Sequence, residues 1–168
     1  YTPLVAREGT DSLVLDVTGC AHLFGGEAGL VEAATARMRR FGLTASAALA
    51  GTPEAARALA RHAAGHATGP APGRIVPPGG EGAALSPLPV AALDLDPAVT
   101  LALTRAGLRT LGDLDARQSA ALAARFGATL VDRLDRLLGR RDGRITPLRA
   151  PPELMAERHF PEPIARIE

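Results

Sequence analysis

The sequence predicts an α+β fold: a unit in the order strand, helix, strand, helix, strand, followed by a small all-helical unit. Three observations carry this expectation. Leu13, Leu15 and Val17 alternate with Ser12, Val14 and Asp16, the period of a half-buried strand. Leu30, Val31, Ala34, Met38 and Phe41 share one face of a helix over residues 27–41. Beyond residues 77–89, which are dense in Pro and Gly, the helical period takes over until the chain turns Pro-rich near its end.

The elements follow in order. Gly19, Gly25 and Gly26 break the chain between the first strand and the first helix. Glu27 at the start of that helix and Arg37, Arg39 and Arg40 at its end complement the helix dipole, and Gly42 stops it. Residues 43–50 are the second strand. Thr52 caps the next helix, with Pro53 in its first position, running to about residue 64. A Gly- and Pro-rich loop over 65–72 leads to a third short strand at Arg74-Ile75-Val76. Such alternation packs helices on a sheet. In the helical unit, Asp96 caps a helix over 98–106 with Pro97 behind it, closed by Gly107. Asp115 is read as the cap of a helix reaching Phe126. Gly127 breaks that helix, and Leu130, Leu134, Leu137 and Leu138 give the next one an apolar face. There Asp132 and Arg136 have the spacing and acid-first order of a helix ion pair. The units are therefore 1–82, 83–143, and 144–168, the last a Pro-rich linker and one more strand.

Composition narrows the classes. Hydrophobic residues make up 46% of the 168, but aromatics only 3%, with no Trp, so the core must be built from Ala, Leu and Val. All 19 basic residues are Arg, the codon bias of a high-GC genome. The net charge of +1 is uneven. Residues 1–96 carry seven Arg against nine acids, residues 97–144 nine against five, and residues 145–168 three against four. The positive segment is a modest footprint for phosphate binding, or else a solvated helical surface. A single Cys20 cannot form an internal disulfide and fits a reducing cytoplasm. No apolar run reaches membrane-spanning length, and no signal-peptide pattern is visible. His62 and His66 lack a third ligand, His22 falls in a turn, and the Gly pairs lack a phosphate-loop ending, so no metal site is expected.

The run from Gly9 to Gly19, containing Asp11-Ser12 and Asp16-Val17-Thr18, resembles the second acidic motif in the palm of Y-family (DinB/UmuC-type) translesion DNA polymerases. That motif reads Ser-Ile-Asp-Glu, three residues, then Asp-Val-Thr. Asp11 stands at the metal-binding Asp and Ser12 at the catalytic Glu. A two-metal phosphoryl-transfer site needs clustered carboxylates, and a neutral hydroxyl cannot replace one. The resemblance implies a polymerase fold with a vestigial Asp11 and Ser12, no catalytic residue and no cofactor. The family's Ala-Lys pair falls on Ala56-Arg57, which implies that Arg57 sits near an incoming triphosphate. The residues alone also allow Arg57 to be a solvent-facing helix side chain. An Asn-Lys pair expected just upstream is replaced by Thr52-Pro53.

Residues 107–114 are similar to the thumb element Gly-Ile-x-Thr-Ile-Gly-Asp-Leu. Aligned back from it, a DNA-binding Gly-x-Gly turn falls on Asp94-Leu95-Asp96. Carboxylates there repel phosphate by about 1 kcal/mol per contact in partly screened water. A cation on Asp94 and Asp96 competes with the simpler use of Asp96 as a helix cap. Residual DNA contact is expected at Arg105, Arg109, Arg140 and Arg141, through phosphates and without base readout.

The run from Thr18 to Glu27, with Arg125-Phe126-Gly127 and Phe160-Pro161-Glu162-Pro163-Ile164, resembles the ImuB-type branch of the family. The resemblance implies that 1–82 is the later palm, 83–143 a helix-hairpin-helix-like thumb, and 144–168 the linker and first strand of a little finger. The upstream palm strand and fingers are expected to be missing. The implied function is a non-catalytic adaptor in SOS-induced mutagenic translesion synthesis and DNA repair. Such an adaptor brings a sliding clamp, a RecA-like accessory protein and an error-prone DnaE-type polymerase to a lesion, through regions largely outside this chain. Two alternatives stay open. One is an active, Mg2+-dependent polymerase in which Glu8, read as a turn residue, or Asp16 supplies the missing carboxylate. Strand alternation sets Asp16 on the opposite face from Asp11. The other is a simple DNA-binding module, which steep salt dependence would mark.

Overall fold

The computed structural model describes residues 1–2, 4–63, 74–143 and 145–148. Strands β1 (Val5–Glu8) and β2 (Ser12–Leu15) form an antiparallel hairpin in which Val5 faces Leu15 and Glu8 faces Ser12. Gly9 opens the turn at φ 62, a left-handed conformation that costs Gly nothing for want of a Cβ. The sequence period does not reveal β1, and the expectation that Glu8 lies in a turn is corrected: it ends β1. Four residues of Val-Ala-Arg-Glu are too few to show alternation. Strand β2 stops at Leu15 because Asp16 turns back to accept the Thr18 N–H at 3.0 Å. Bonds from Thr18 hold the Asp16 carboxyl below its ordinary range. The inward face of the hairpin carries Ala6, which is buried, and its partner Val14; Leu13, expected inside, is 55% exposed.

A 3-10 turn at Ala21–Phe24 leads into helix α1 (Glu27–Arg40). Leu30 and Val31 are buried as expected, and so is Thr35, whose hydroxyl bonds the Val31 carbonyl at 2.9 Å. Phe41 departs from the expected face. It lies just past the helix end, exposed, with Arg37 over its ring at 5.7 Å. The strand expected at 43–50 reduces to one parallel bridge between Leu49 and Ile75, which also represents the expected third strand. Four Ala residues in that stretch offer little side-chain packing to a sheet. The α+β class stands, but the sheet is a two-stranded hairpin and the order of elements is changed accordingly.

Helix α2 (Pro53–His62) begins where Thr52 accepts the Ala55 N–H at 3.1 Å. It is followed by α3 (Glu81–Leu85), a 3-10 turn at Val90–Leu93, and α4 (Pro97–Arg105), capped by Asp96 through the Ala98 N–H at 2.7 Å. Helix α5 (Leu111–Asp115) opens on a reciprocal cap. The Thr110 hydroxyl accepts the Asp113 N–H, and the Asp113 carboxylate accepts the N–H groups of Thr110 and Arg109, both at 2.9 Å. Asp115 is therefore not a cap; it ends α5, and α6 (Ser119–Phe126) starts after Gln118. Helix α7 (Ala128–Leu137) completes the set.

One hydrophobic cluster runs from Ala55, Ala58 and Leu59 of α2 to Leu130, Leu134 and Leu137 of α7, continuous across residues 82 and 83. No described residue of the hairpin belongs to it. Polar groups steady the ends of α2: the buried Glu81 accepts the Gly51 N–H at 3.2 Å, and the exposed Ser46 hydroxyl donates to the Ala60 carbonyl at 2.7 Å. Past α7, the Leu148 N–H reaches the Val5 carbonyl at 2.7 Å, returning the chain to the hairpin. The expected loop at 65–72, His66 and the strand near Phe160 lie outside the described residues.

The N–H groups of Thr110 and Arg109 hold the Asp113 carboxyl below the ordinary 3.8. A lowered folded value means stabilisation that is present above the unfolded value and lost as the pH falls through the folded one. Asp113→Asn should therefore lower the melting temperature at neutral pH. The difference from wild type should close in thermal melts as the pH drops below 3.8.

Candidate functional site

The hairpin, α2, the Val90–Leu93 turn and α7 enclose a cleft of about 480 Å³. Its walls carry four arginines, Arg57, Arg61, Arg133 and Arg136, and four carboxylates, Glu8, Glu54, Asp94 and Asp132. Helix α2 presents Arg57 and Arg61 one turn apart, so both line the same cleft, each with its own partners. The Arg57 Nη1 donates to Asp94 at 2.9 Å. Its Nε lies 3.6 Å from the Glu8 carboxylate, beyond hydrogen-bond range, so these two meet only as charges. The Arg57 side chain is 16% exposed, which sets aside the solvent-facing reading of this residue.

Arg61 lies on the Asp11-Ser12 pair at the hairpin tip. Its Nη2 donates to the Asp11 carboxylate and, at 2.8 Å, to the Ser12 hydroxyl. The Ser12 hydroxyl donates in turn to Asp11 at 3.0 Å. Glu8 faces Ser12 across the hairpin and shares its side of the sheet. Polymerase-type Mg2+ ions require free carboxylate oxygens. Here a guanidinium holds Asp11, another pairs with Glu8, and Ser12 contributes no charge. The residues present do not fit a pair of divalent ions, and no group of three or more His, Cys, Asp or Glu able to hold a metal occurs among the described residues.

The expected turn at Asp94-Leu95-Asp96 divides its carboxylates between two jobs. Asp94 closes the Val90–Leu93 turn at φ 52, the one positive φ outside glycine among the described residues. Arg133 steadies it by donating to the carbonyls of Leu93 at 3.0 Å and Asp94 at 2.7 Å. The bond from Arg57, more than any other influence, keeps the Asp94 carboxyl below its usual range. Asp96 is the cap of α4. His62, beside Arg57, Arg61 and Asp94, is held below the ordinary imidazole value, first by burial and then by Arg61 and Arg57.

The four arginines expected to meet phosphates fall into two pairs. Arg105, at the end of α4, and Arg109 are exposed, and no carboxylate pairs with their side chains among the described residues. Arg140 pairs with Asp115 at 2.5 Å and Asp135 at 3.7 Å, and Arg141 with Asp132, which also holds Arg136 at 3.0 Å. Sequence reasoning missed Arg61 and Arg133. The four-residue spacing of Arg57 and Arg61 was a signal for the first; nothing in the sequence marks the second.

The left-handed backbone of Asp94 separates two effects. Asp94→Gly loses the ion pairs with Arg57 and Arg133 but relieves the backbone. Asp94→Ala loses the pairs and keeps the strain, so it should be less stable than the Gly variant by about 1 kcal/mol in urea melts. Equal losses would mean that the backbone there is unstrained.

No family model matches the chain, and no solved structure matches it. Among known proteins it is 42% identical, over all 168 residues, to Protein ImuB of Caulobacter vibrioides, in two strains. It is 33% identical, over 146 residues or 86% of the chain, to DNA polymerase IV 2 of Mesorhizobium japonicum. The chain spans about a third of the length of these relatives, 35% and 34% respectively. With 42% identity along its whole length and the weaker polymerase match beside it, the chain is an ImuB-type, Y-family-like segment.

Proposed function

We propose that the chain is part of a non-catalytic, Y-family polymerase-like adaptor in SOS-induced mutagenic translesion synthesis and DNA repair. One observation carries this reading: the acidic motif is Asp11-Ser12, and its single carboxylate is bound by Arg61. The relatives, an ImuB protein and a DNA polymerase IV, support a polymerase-like context. The cleft adds to it. Arg57, which the resemblance sets beside a triphosphate, is engaged by Glu8 and Asp94. The corner that would offer backbone N–H groups to a DNA phosphate carries Asp94 and Asp96 instead.

In this proposal residues 1–82 are the later palm, 83–143 the thumb, and 144–168 the linker and first strand of the little finger. DNA contact is weak and made through phosphates, with Arg105 and Arg109 as the open cations and Arg140 and Arg141 held by carboxylates. A sliding clamp, a RecA-like protein and a DnaE-type polymerase bind surfaces largely outside this chain, in the cytoplasm. No helix among the described residues is long and apolar enough to cross a membrane.

A second reading, an active Mg2+-dependent polymerase, is favoured by one observation: Glu8 sits directly opposite Ser12 across the hairpin. It requires Glu8 to leave Arg57. Asp16 is less suited to the task, because its carboxylate closes the turn onto Thr18.

Primer extension by the full-length gene product, with Mg2+ and then Mn2+, tests the proposal. The expected result is no incorporation by folded protein. Its DNA binding should be weak and fall steeply as salt rises. Incorporation abolished by Glu8→Gln would establish the second reading instead.

A further inference from the structure

We infer that Arg61 is a resident cation that closes the acidic motif to divalent metal ions. The loss of a carboxylate at Ser12 is then only half of what disables the motif. The inference rests on reading Asp11-Ser12 as the vestige of a metal-binding pair.

The geometry supports it in three ways. One guanidinium nitrogen touches both members of the motif, and the Ser12 hydroxyl donates to the same Asp11 oxygen, so that oxygen already receives two donors. Arg61 is delivered from a fixed helix: α2 is capped at Thr52, its Ala55, Ala58 and Leu59 are fully buried, and its Arg57 is anchored between Glu8 and Asp94. Charge is balanced at the hairpin tip, where Glu8 and Asp11 face Arg57 and Arg61. A metal ion approaching Asp11 meets two positive charges, and both carboxylates of the hairpin tip, Glu8 and Asp11, are already paired. Adding a carboxylate at Ser12 would supply Arg61 with a second anion before it supplied a metal with a ligand.

The test is Mn2+ binding by the full-length protein, followed by calorimetry and by electron paramagnetic resonance, without DNA or nucleotide. Wild type should bind no Mn2+ at the motif, and Ser12→Glu should bind it only weakly. The double variant Ser12→Glu/Arg61→Ala should bind it at least about tenfold more tightly than Ser12→Glu alone. Equal binding by Ser12→Glu and the double variant overturns the inference, as does a folded double variant that binds nothing. Should Ser12→Glu fail to fold, Ser12→Asp with and without Arg61→Ala takes its place. The melting temperature of Ser12→Asp/Arg61→Ala should rise with added Mn2+ while that of Ser12→Asp does not, and equal responses overturn the inference. Mn2+ bound by wild type without primer extension overturns the role of Arg61 and leaves the adaptor reading intact, so the two failures are distinguishable.

Discussion

Two guanidinium groups one turn apart on α2 join the parts of this chain. Arg57 reaches Glu8 on β1 and Asp94 at the corner before α4; Arg61 reaches Asp11 and Ser12 at the hairpin tip. The main hydrophobic cluster runs from α2 to α7 without a hairpin residue, so the tip of the hairpin is held by charge rather than by apolar packing. Each exposed pair is worth only about 0.2–1 kcal/mol. Their value is positional. The opposite side of α2 is locked by Ala55, Ala58 and Leu59, so the arginines leave a rigid platform and can satisfy only the acids within their reach.

The same pairing determines what the cleft can do. An arginine held by a carboxylate must lose that partner before it can bind a phosphate, and a carboxylate held by an arginine must lose it before it can bind a metal. Glu8, Asp11 and Asp94 thus occupy the guanidinium groups of Arg57 and Arg61, and these in turn occupy the carboxylates. Asp94 illustrates the exchange. A glycine would adopt its left-handed backbone freely and leave an open N–H corner. The aspartate accepts a strained φ of 52 and in return joins the corner to α2. Of the four arginines expected to meet phosphates, Arg105 at the end of α4 and Arg109 just beyond it remain open to an outside partner, with no carboxylate paired to them among the described residues.

The sequence made the helices legible because their signals are local. Thr52-Pro53 and Asp96-Pro97 mark starts that the structure keeps, and Asp132 and Arg136 pair as their spacing demands. Asp115 misled because the Thr110–Asp113 box, which starts five residues earlier, opens a short helix of its own. The strands were harder. Residues 43–50 have strand-like neighbours but too little side chain to hold a ladder, and β1 is too short to show a period. Leu13 shows the limit of alternation: the pattern identifies two faces, but which one is covered depends on where α2 lies. Ser12 and the two aspartates of the corner were visible as substitutions. That Arg61 and Arg133 answer them was not, since both contacts join residues about 40 or more positions apart.

The decisive measurement is a crystal structure of the full-length protein soaked with Mn2+ and a deoxynucleoside triphosphate, read by the anomalous signal of manganese. If the arginines of α2 hold the motif as described, no manganese peak appears at Asp11, and Arg61 keeps its bonds to Asp11 and Ser12. A manganese ion coordinated by Asp11 and Glu8, with Arg61 turned away and Arg57 on the triphosphate, would contradict the self-paired cleft and return the chain to polymerase chemistry.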